Sequence, residues 1–151
     1  MTDVDPISVD GEVRLIPWYP NEETALSWYQ DPELVYQVDG VAQPYTPEKL
    51  RRMYEYLCAQ GDCFYIEYRG ELVGDIALKR DGEICVVVAR PWQNLHIGRR
   101  CVEAIMRLAA ERGLPRVRAR IYGFNLQSQR MFAAAGFAPE GREWYARSVA
   151  P

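Results

Sequence analysis

The strongest constraint on the fold lies in residues 83–112. Ile84 to Val88 form a short apolar run, mostly β-branched, and Gln93, Asn94 and Gly98 follow in a polar loop. Ile97, Cys101, Val102, Ile105, Met106, Leu108 and Ala109 then recur at helical spacing, up to a stop at Gly113. β-Branched residues suit a pleated strand, and the 3.6-residue period marks an amphipathic helix, so the order is strand, loop, helix. A helix entered this way leaves its first-turn N–H groups without intrahelical partners, at the positive end of its dipole. Such a turn takes anions, and a phosphate or pyrophosphate is its natural guest. The lettering lacks the Gly-Lys-Ser/Thr ending of a nucleoside-triphosphate loop and the three-glycine fingerprint of a dinucleotide site.

The rest of the chain falls into order around this unit. Residues 1–12 show no periodicity and read as a flexible tail. Residues 13–18 make a first strand, and Asn21 opens a short helix that ends before Asp31-Pro32. Residues 34–43 fit either a short helix or a loop lying over a pocket. Thr46-Pro47 opens a second helix, with Leu50, Met53, Tyr54 and Leu57 on one face. From Cys63 the period becomes two, and turns at Arg69-Gly70 and Asp81-Gly82 give three antiparallel strands in succession. Beyond the long helix, Val117, Ala119 and Ile121 alternate with Arg116, Arg118 and Arg120 in a fifth strand. Residues 125–135 are helical, and residues 137–147 read as two short strands around a turn. The order β-α-α-β-β-β-α-β-α-β-β places an α/β (α+β) chain around a mixed central sheet of about seven strands, because a crossover helix makes its flanking strands parallel.

Composition excludes several functions. At 151 residues, 48% of them hydrophobic, the chain has room for one core and one domain, residues 13–151. A net charge of −3 argues against nucleic acid as a partner. Four cysteines without a C-x-x-C pair, and a single histidine, argue against a metal site and suit a reducing, cytoplasmic setting. No apolar run approaches the roughly 18 residues needed to span a bilayer, so no membrane partner is expected.

Two motifs carry a resemblance. Gln93-Asn94-Leu95-His96-Ile97-Gly98-Arg99-Arg100 resembles the Gln/Arg-x-x-Gly-x-Gly/Ala loop with which GCN5-related N-acetyltransferases (GNAT) hold the pyrophosphate of acetyl-CoA, with His96 at the place of the first glycine. Residues 125–137, from Asn125 through Ser128 to Gly136-Phe137, resemble that family's Asn-x-x-Ser/Ala helix, and the serine variant is closest to the branch of ribosomal-protein N-terminal acetyltransferases. The two motifs stand in the family's order and spacing, and the GNAT fold accounts for residues 13–145. The resemblance implies an N-acetyltransferase that moves an acetyl group from acetyl-CoA, a co-substrate, to a primary amine by direct attack in a ternary complex. The acceptor is then an amine-bearing small molecule or a peptide N-terminus, and the protein a monomer or homodimer. Two alternatives stay open: another acyl-CoA as donor, or a CoA-binding regulatory module without turnover.

The same resemblance assigns roles. Cofactor binding falls to the backbone of Val86 and Val88, to Gln93, Asn94, Leu95, His96, Ile97, Gly98, Arg99 and Arg100, and to Asn125 and Ser128. Phe132 stands where many members carry a tyrosine that protonates the departing thiolate, and phenylalanine has no proton to give. Ser128 is the substitute acid. Glu83 is the candidate base, since an amine must lose a proton to complete acyl transfer; Glu67 and Asp75 are weaker candidates on neighbouring strands. Trp28, Tyr36, Tyr122 and Tyr145 are candidates to line an acceptor pocket.

Overall fold

The computed structural model describes residues 5–150. Two residues, β1 (Ile7–Ser8), pair with β2 (Val13–Pro17), so the tail expected through residue 12 gives way to a sheet edge there; residues 1–4 of that tail lie outside the described residues. Three helices follow: α1 (Glu22–Tyr29), α2 (Pro32–Asp39) and α3 (Pro47–Gln60). The ambiguous stretch after Asp31 is thus helical. Asp31 accepts a hydrogen bond from the N–H of Glu33, Pro32 begins the first turn, and Gly40 closes the helix at φ +77°. Thr46 caps α3 through the N–H of Lys49.

The meander β3 (Gly61–Tyr68), β4 (Glu71–Lys79) and β5 (Ile84–Val88) continues the sheet in the order β1-β2-β3-β4-β5, antiparallel throughout. A single 3-10 turn (Arg90–Trp92) leads to α4 (Ile97–Glu111), then β6 (Arg116–Arg120), α5 (Leu126–Ala134), β7 (Ala138–Gly141) and β8 (Trp144–Ser148). The last strands form a separate sheet in the order β6-β8-β7. One parallel bridge, Glu83 with Arg118, joins β5 to β6. The mixed sheet is therefore open along most of its one parallel seam.

Two apolar cores flank the sheet. Val13, Leu15, Phe64, Ile66, Ile76 and Ile84 pack with Ile97, Cys101 and Ile105 of α4 and with Phe132 and Phe137 on one side. Ala25, Tyr29, Leu34, Leu50, Tyr54 and Leu57 of α1–α3 pack with Cys63, Tyr65 and Ala77 on the other. Successive strand residues alternate between the two, as the period of two requires. Among the described residues, no helix is long and apolar enough to cross a membrane, and no cluster of His, Cys, Asp or Glu is arranged to hold a metal ion.

Candidate active site

The open seam is a cleft of about 660 Å³. Its first wall is β5. The N–H of Ala89 donates to the carbonyl of Val73 and the carbonyl of Glu83 accepts from Lys79, so odd-numbered backbone groups of this strand face β4. By alternation, the N–H and C=O groups of Val86 and Val88 face the cleft, where no neighbouring strand pairs with them. Gln93 Nε2 donates to the carbonyl of Val88 at 2.8 Å. The amide of Gln93 also meets Gln37 of α2 (3.1 Å) and Gln127 of α5 (3.3 Å), tying three elements across the cleft mouth.

The second feature is the start of α4. Its N-cap is His96, in the left-handed region at φ +59° and ψ +21°, and no side chain caps the helix. Asn94 is also left-handed, at φ +69°. Both residues hold the left-handed conformation that glycine takes most readily, and the first turn of this 15-residue helix, Ile97, Gly98 and Arg99, lines the cleft with its N–H groups free of intrahelical partners. A Cβ on Gly98 would sit 3.5 Å from Met131 Cε and 3.9 Å from Val88 Cγ2, so a larger side chain would grow into the space between α4, α5 and β5.

Gln93, Asn94, His96, Ile97, Gly98 and Arg99 all line the cleft. Leu95 and Arg100, expected with them, do not. Leu95 is exposed at the surface. Arg100 turns back to Asp10 (3.2 Å), Glu12 (2.9 Å) and the carbonyl of Leu95, and so pins the N-terminal segment instead of reaching for a ligand. Bonds to the backbone of Glu12 and Val13 and to Arg100 hold the Asp10 carboxyl below its ordinary range. Such pairings join residues about ninety positions apart and leave no periodic trace in the sequence.

On α5, Asn125 accepts the N–H of Ser128 at 3.1 Å and acts as the N-cap, while its Nδ2 reaches the carbonyl of Gln37. Ser128 lines the cleft, and among the described residues its hydroxyl has no hydrogen-bond partner. Phe132 is buried, edge-on to Phe137, with its ring toward the same space.

Glu83 lies at the bridged end of the cleft, its Oε1 held 3.0 Å from Lys79 Nζ. Glu67 pairs with Arg14 outside the cleft. Asp75 is sealed in the core at 2% exposure, where Tyr29 and Tyr54 donate to its Oδ2 at 2.6 and 2.8 Å. Burial pushes its carboxyl up to about 6, against those two bonds. Asp75 does not line the cleft.

Of the aromatic candidates, Tyr122 lines the cleft and donates to the carbonyl of Asp39 at 3.2 Å. Tyr36 is exposed and stacks on Phe124, centroids 4.3 Å apart, outside the lining. Trp28 is buried between α1 and the sheet, and Tyr145 packs against the core; neither faces the cleft. Three residues to which the motifs assign no role also line the cleft: Gln37, Gln127 and Arg130. The first two join the cross-cleft amide contacts, and Arg130 lines the cleft one turn into α5. Gln37 lies on a helix outside both motifs, and Gln127 and Arg130 fill positions of the second motif that its pattern leaves open.

The fold recurs widely among solved structures. An acetyltransferase of the GNAT family from Bacillus anthracis superposes with a TM-score of 0.82 at 18% identity, covering 97% of this chain and 99% of that one. A ribosomal-protein alpha-N-acetyltransferase solved with coenzyme A gives 0.77 at 16%, covering 95% and 97%. An acetyltransferase from Salmonella typhimurium that modifies the N-terminal serine of a ribosomal protein gives 0.72 at 17%, covering 95% and 98%. Comparison with the curated proteins finds no match. The acetyltransferase (GNAT) domain model matches residues 12–138. With a seam open beside an uncapped helix start and a family model spanning most of its length, the chain belongs to the GNAT acetyltransferase family.

Proposed function

We propose that the protein is an acetyl-CoA-dependent N-acetyltransferase in which a primary amine attacks the thioester directly while both substrates are bound. The observation that carries this reading is the adjacency of two backbone surfaces that no strand or cap covers: the cleft-facing groups of Val86 and Val88, of which only the Val88 carbonyl is held, by Gln93, and the uncapped first turn of α4. Together they suit a ligand with an extended amide-bearing arm ending in a pyrophosphate. The donor brings an activated acyl thioester. In this reading the loop of residues 93–98 holds the pyrophosphate by backbone N–H groups, with Arg99 adding charge at the rim. The Val86 and Val88 groups orient the arm, and a β5 N–H polarises the acyl carbonyl as charge grows on its oxygen.

Ser128 stands in for the proton donor that Phe132 lacks. A thiolate is a weak base, so modest help suffices. Glu83, or a water that it orders, takes the proton of the amine; Lys79 occupies only Oε1 and leaves Oε2 open among the described residues. Phe132 also favours a second reading, a CoA-binding module without turnover. Thiol release from acetyl-CoA across a panel of primary amines separates the two. Turnover of at least one amine is expected; tight CoA binding with none acetylated would replace the transferase with the module.

A further inference from the structure

We infer that Arg120 binds a carboxylate of the acceptor, so that the amine substrate is of the amino-acid class, with an anionic group close to its amine. The inference rests on the acetyl-transfer reading for which side of the cleft is the acceptor's. α4 and α5, with Gly98 and Ser128, flank one side. Val117 and Ala119 of β6, and Ile121 just past its end, are buried toward that side, so by alternation Arg116, Arg118 and Arg120 project toward the other, with Tyr122 following. On β5 the same alternation puts Glu83, Cys85 and Val87 on this second side, with Leu34 and Val38 of α2 above them.

Of the three arginines of β6, only Arg120 lines the cleft. Arg116 and Arg118 share the carboxylate of Glu140, and Arg118 also lies over the ring of Trp144 at 4.2 Å. Arg120 has a looser partner: Glu143 at 3.6 Å, whose other oxygen already receives the N–H of Gly123. Its side chain is 54% exposed, and the guanidinium keeps donors in a fork that matches a carboxylate. Across the seam, just before β5, stands Glu83, whose Oε1 pairs with Lys79 and whose Oε2 is open among the described residues. Between them Cys85 is neutral, because burial pushes its thiol up to about 12. A zwitterion fits this chamber in one sense, its ammonium toward Glu83 and its carboxylate toward Arg120.

The test pairs L-amino acids with their carboxamides as acceptors, in the wild type, R120M, R120K and the control R116M. Wild-type enzyme is expected to prefer the acids. R120M should raise KM for the acids about tenfold to a hundredfold, the scale of a lost charged hydrogen-bond pair, with kcat little changed and the amides unaffected. R120K should recover part of the loss, and R116M should behave as wild type. A wild-type preference for the amides, or an equal loss for acids and amides in R120M, overturns the inference. So does a loss seen only with succinyl-CoA as donor, which would place the carboxylate on the acyl chain. Nitrogen-15 NMR of the Arg120 Nε–H decides independently of turnover. Titration with an N-acetyl amino acid should move that signal while its amide does not; equal response to both overturns the carboxylate assignment. Selective movement without acetylation of any amine would instead leave the site standing and remove the transferase reading.

Discussion

Two helix starts face the same cleft and are finished differently. α5 is capped by its own chain, Asn125 accepting the N–H of Ser128. α4, the longer helix, begins at His96 with no capping side chain. An N-terminal turn left bare in a polar, half-open cleft is stabilised from outside the chain, by solvent or by an anion. The capped start has the N–H of Ser128 satisfied and turns that residue's hydroxyl to the cleft. In the proposed reading, one helix start holds the donor and the other acts on it.

The sharpest way to break that contrast is at Gly98. Gly98→Val puts branched methyls where a bare Cβ already meets Met131 and Val88. Met131 is flexible enough to absorb part of the intrusion, so the domain should fold with nearly unchanged melting temperature. Acetyl-CoA affinity measured by calorimetry should fall by at least about a hundredfold, or about 2.7 kcal/mol. Unchanged affinity would mean that the bare turn of α4 is not where the donor sits.

Ser128 tests the other helix start. Ser128→Ala removes the hydroxyl but keeps the N–H that Asn125 caps. Loss of a general acid costs a hundredfold or more where the leaving group is strongly basic; a thiolate is not, so a fall in kcat of about tenfold is expected. Affinity for acetyl-CoA should stay within twofold. Equal loss in both quantities would make Ser128 a binding residue only.

These contrasts also divide what was legible from what was not. The α4 unit could be read because a β-branched run and a seven-residue apolar stripe are local patterns. The turn chemistry of Arg69-Gly70 and Asp81-Gly82 located the meander for the same reason. α2 was harder to read: eight residues with a tyrosine, a glutamine and two valines carry a weak period, and its packing against α1 and the sheet decides it. Arg100 sits in the motif yet serves Asp10 and Glu12, a choice set by a β1–β2 turn that sequence periodicity does not place beside α4. The opening between β5 and β6 depends on how far a parallel pair stays together, and no single strand encodes that.

Asn125 gives a smaller effect and a clean separation of capping from binding. Both ends of its amide are engaged, by Ser128 and by Gln37. Asn125→Ala should therefore lower stability in a denaturant titration by about 1 kcal/mol, the usual cost of a lost N-cap. Acetyl-CoA affinity should change by less than twofold. A tenfold loss would show that the amide exchanges its internal partners for the donor.

The smallest change is expected at His96, and it discriminates most finely. A residue with a Cβ held at φ +59° carries strain of about 1 kcal/mol, which glycine would remove. Glycine also loses more freedom on folding, by a similar amount, so the two effects nearly offset. His96→Gly should therefore shift stability by less than about 1 kcal/mol, within about 4 °C in melting temperature for a chain of this size. Acetyl-CoA affinity should hold within twofold, because the loop is proposed to bind through its backbone and the substitution keeps the left-handed turn. His96→Val is the counterpart: a β-branched residue resists φ > 0, so it should lower stability and affinity together. If His96→Gly alone cost tenfold in affinity, the imidazole itself would be the contact, and the bare start of α4 would be capped by its ligand through a side chain after all.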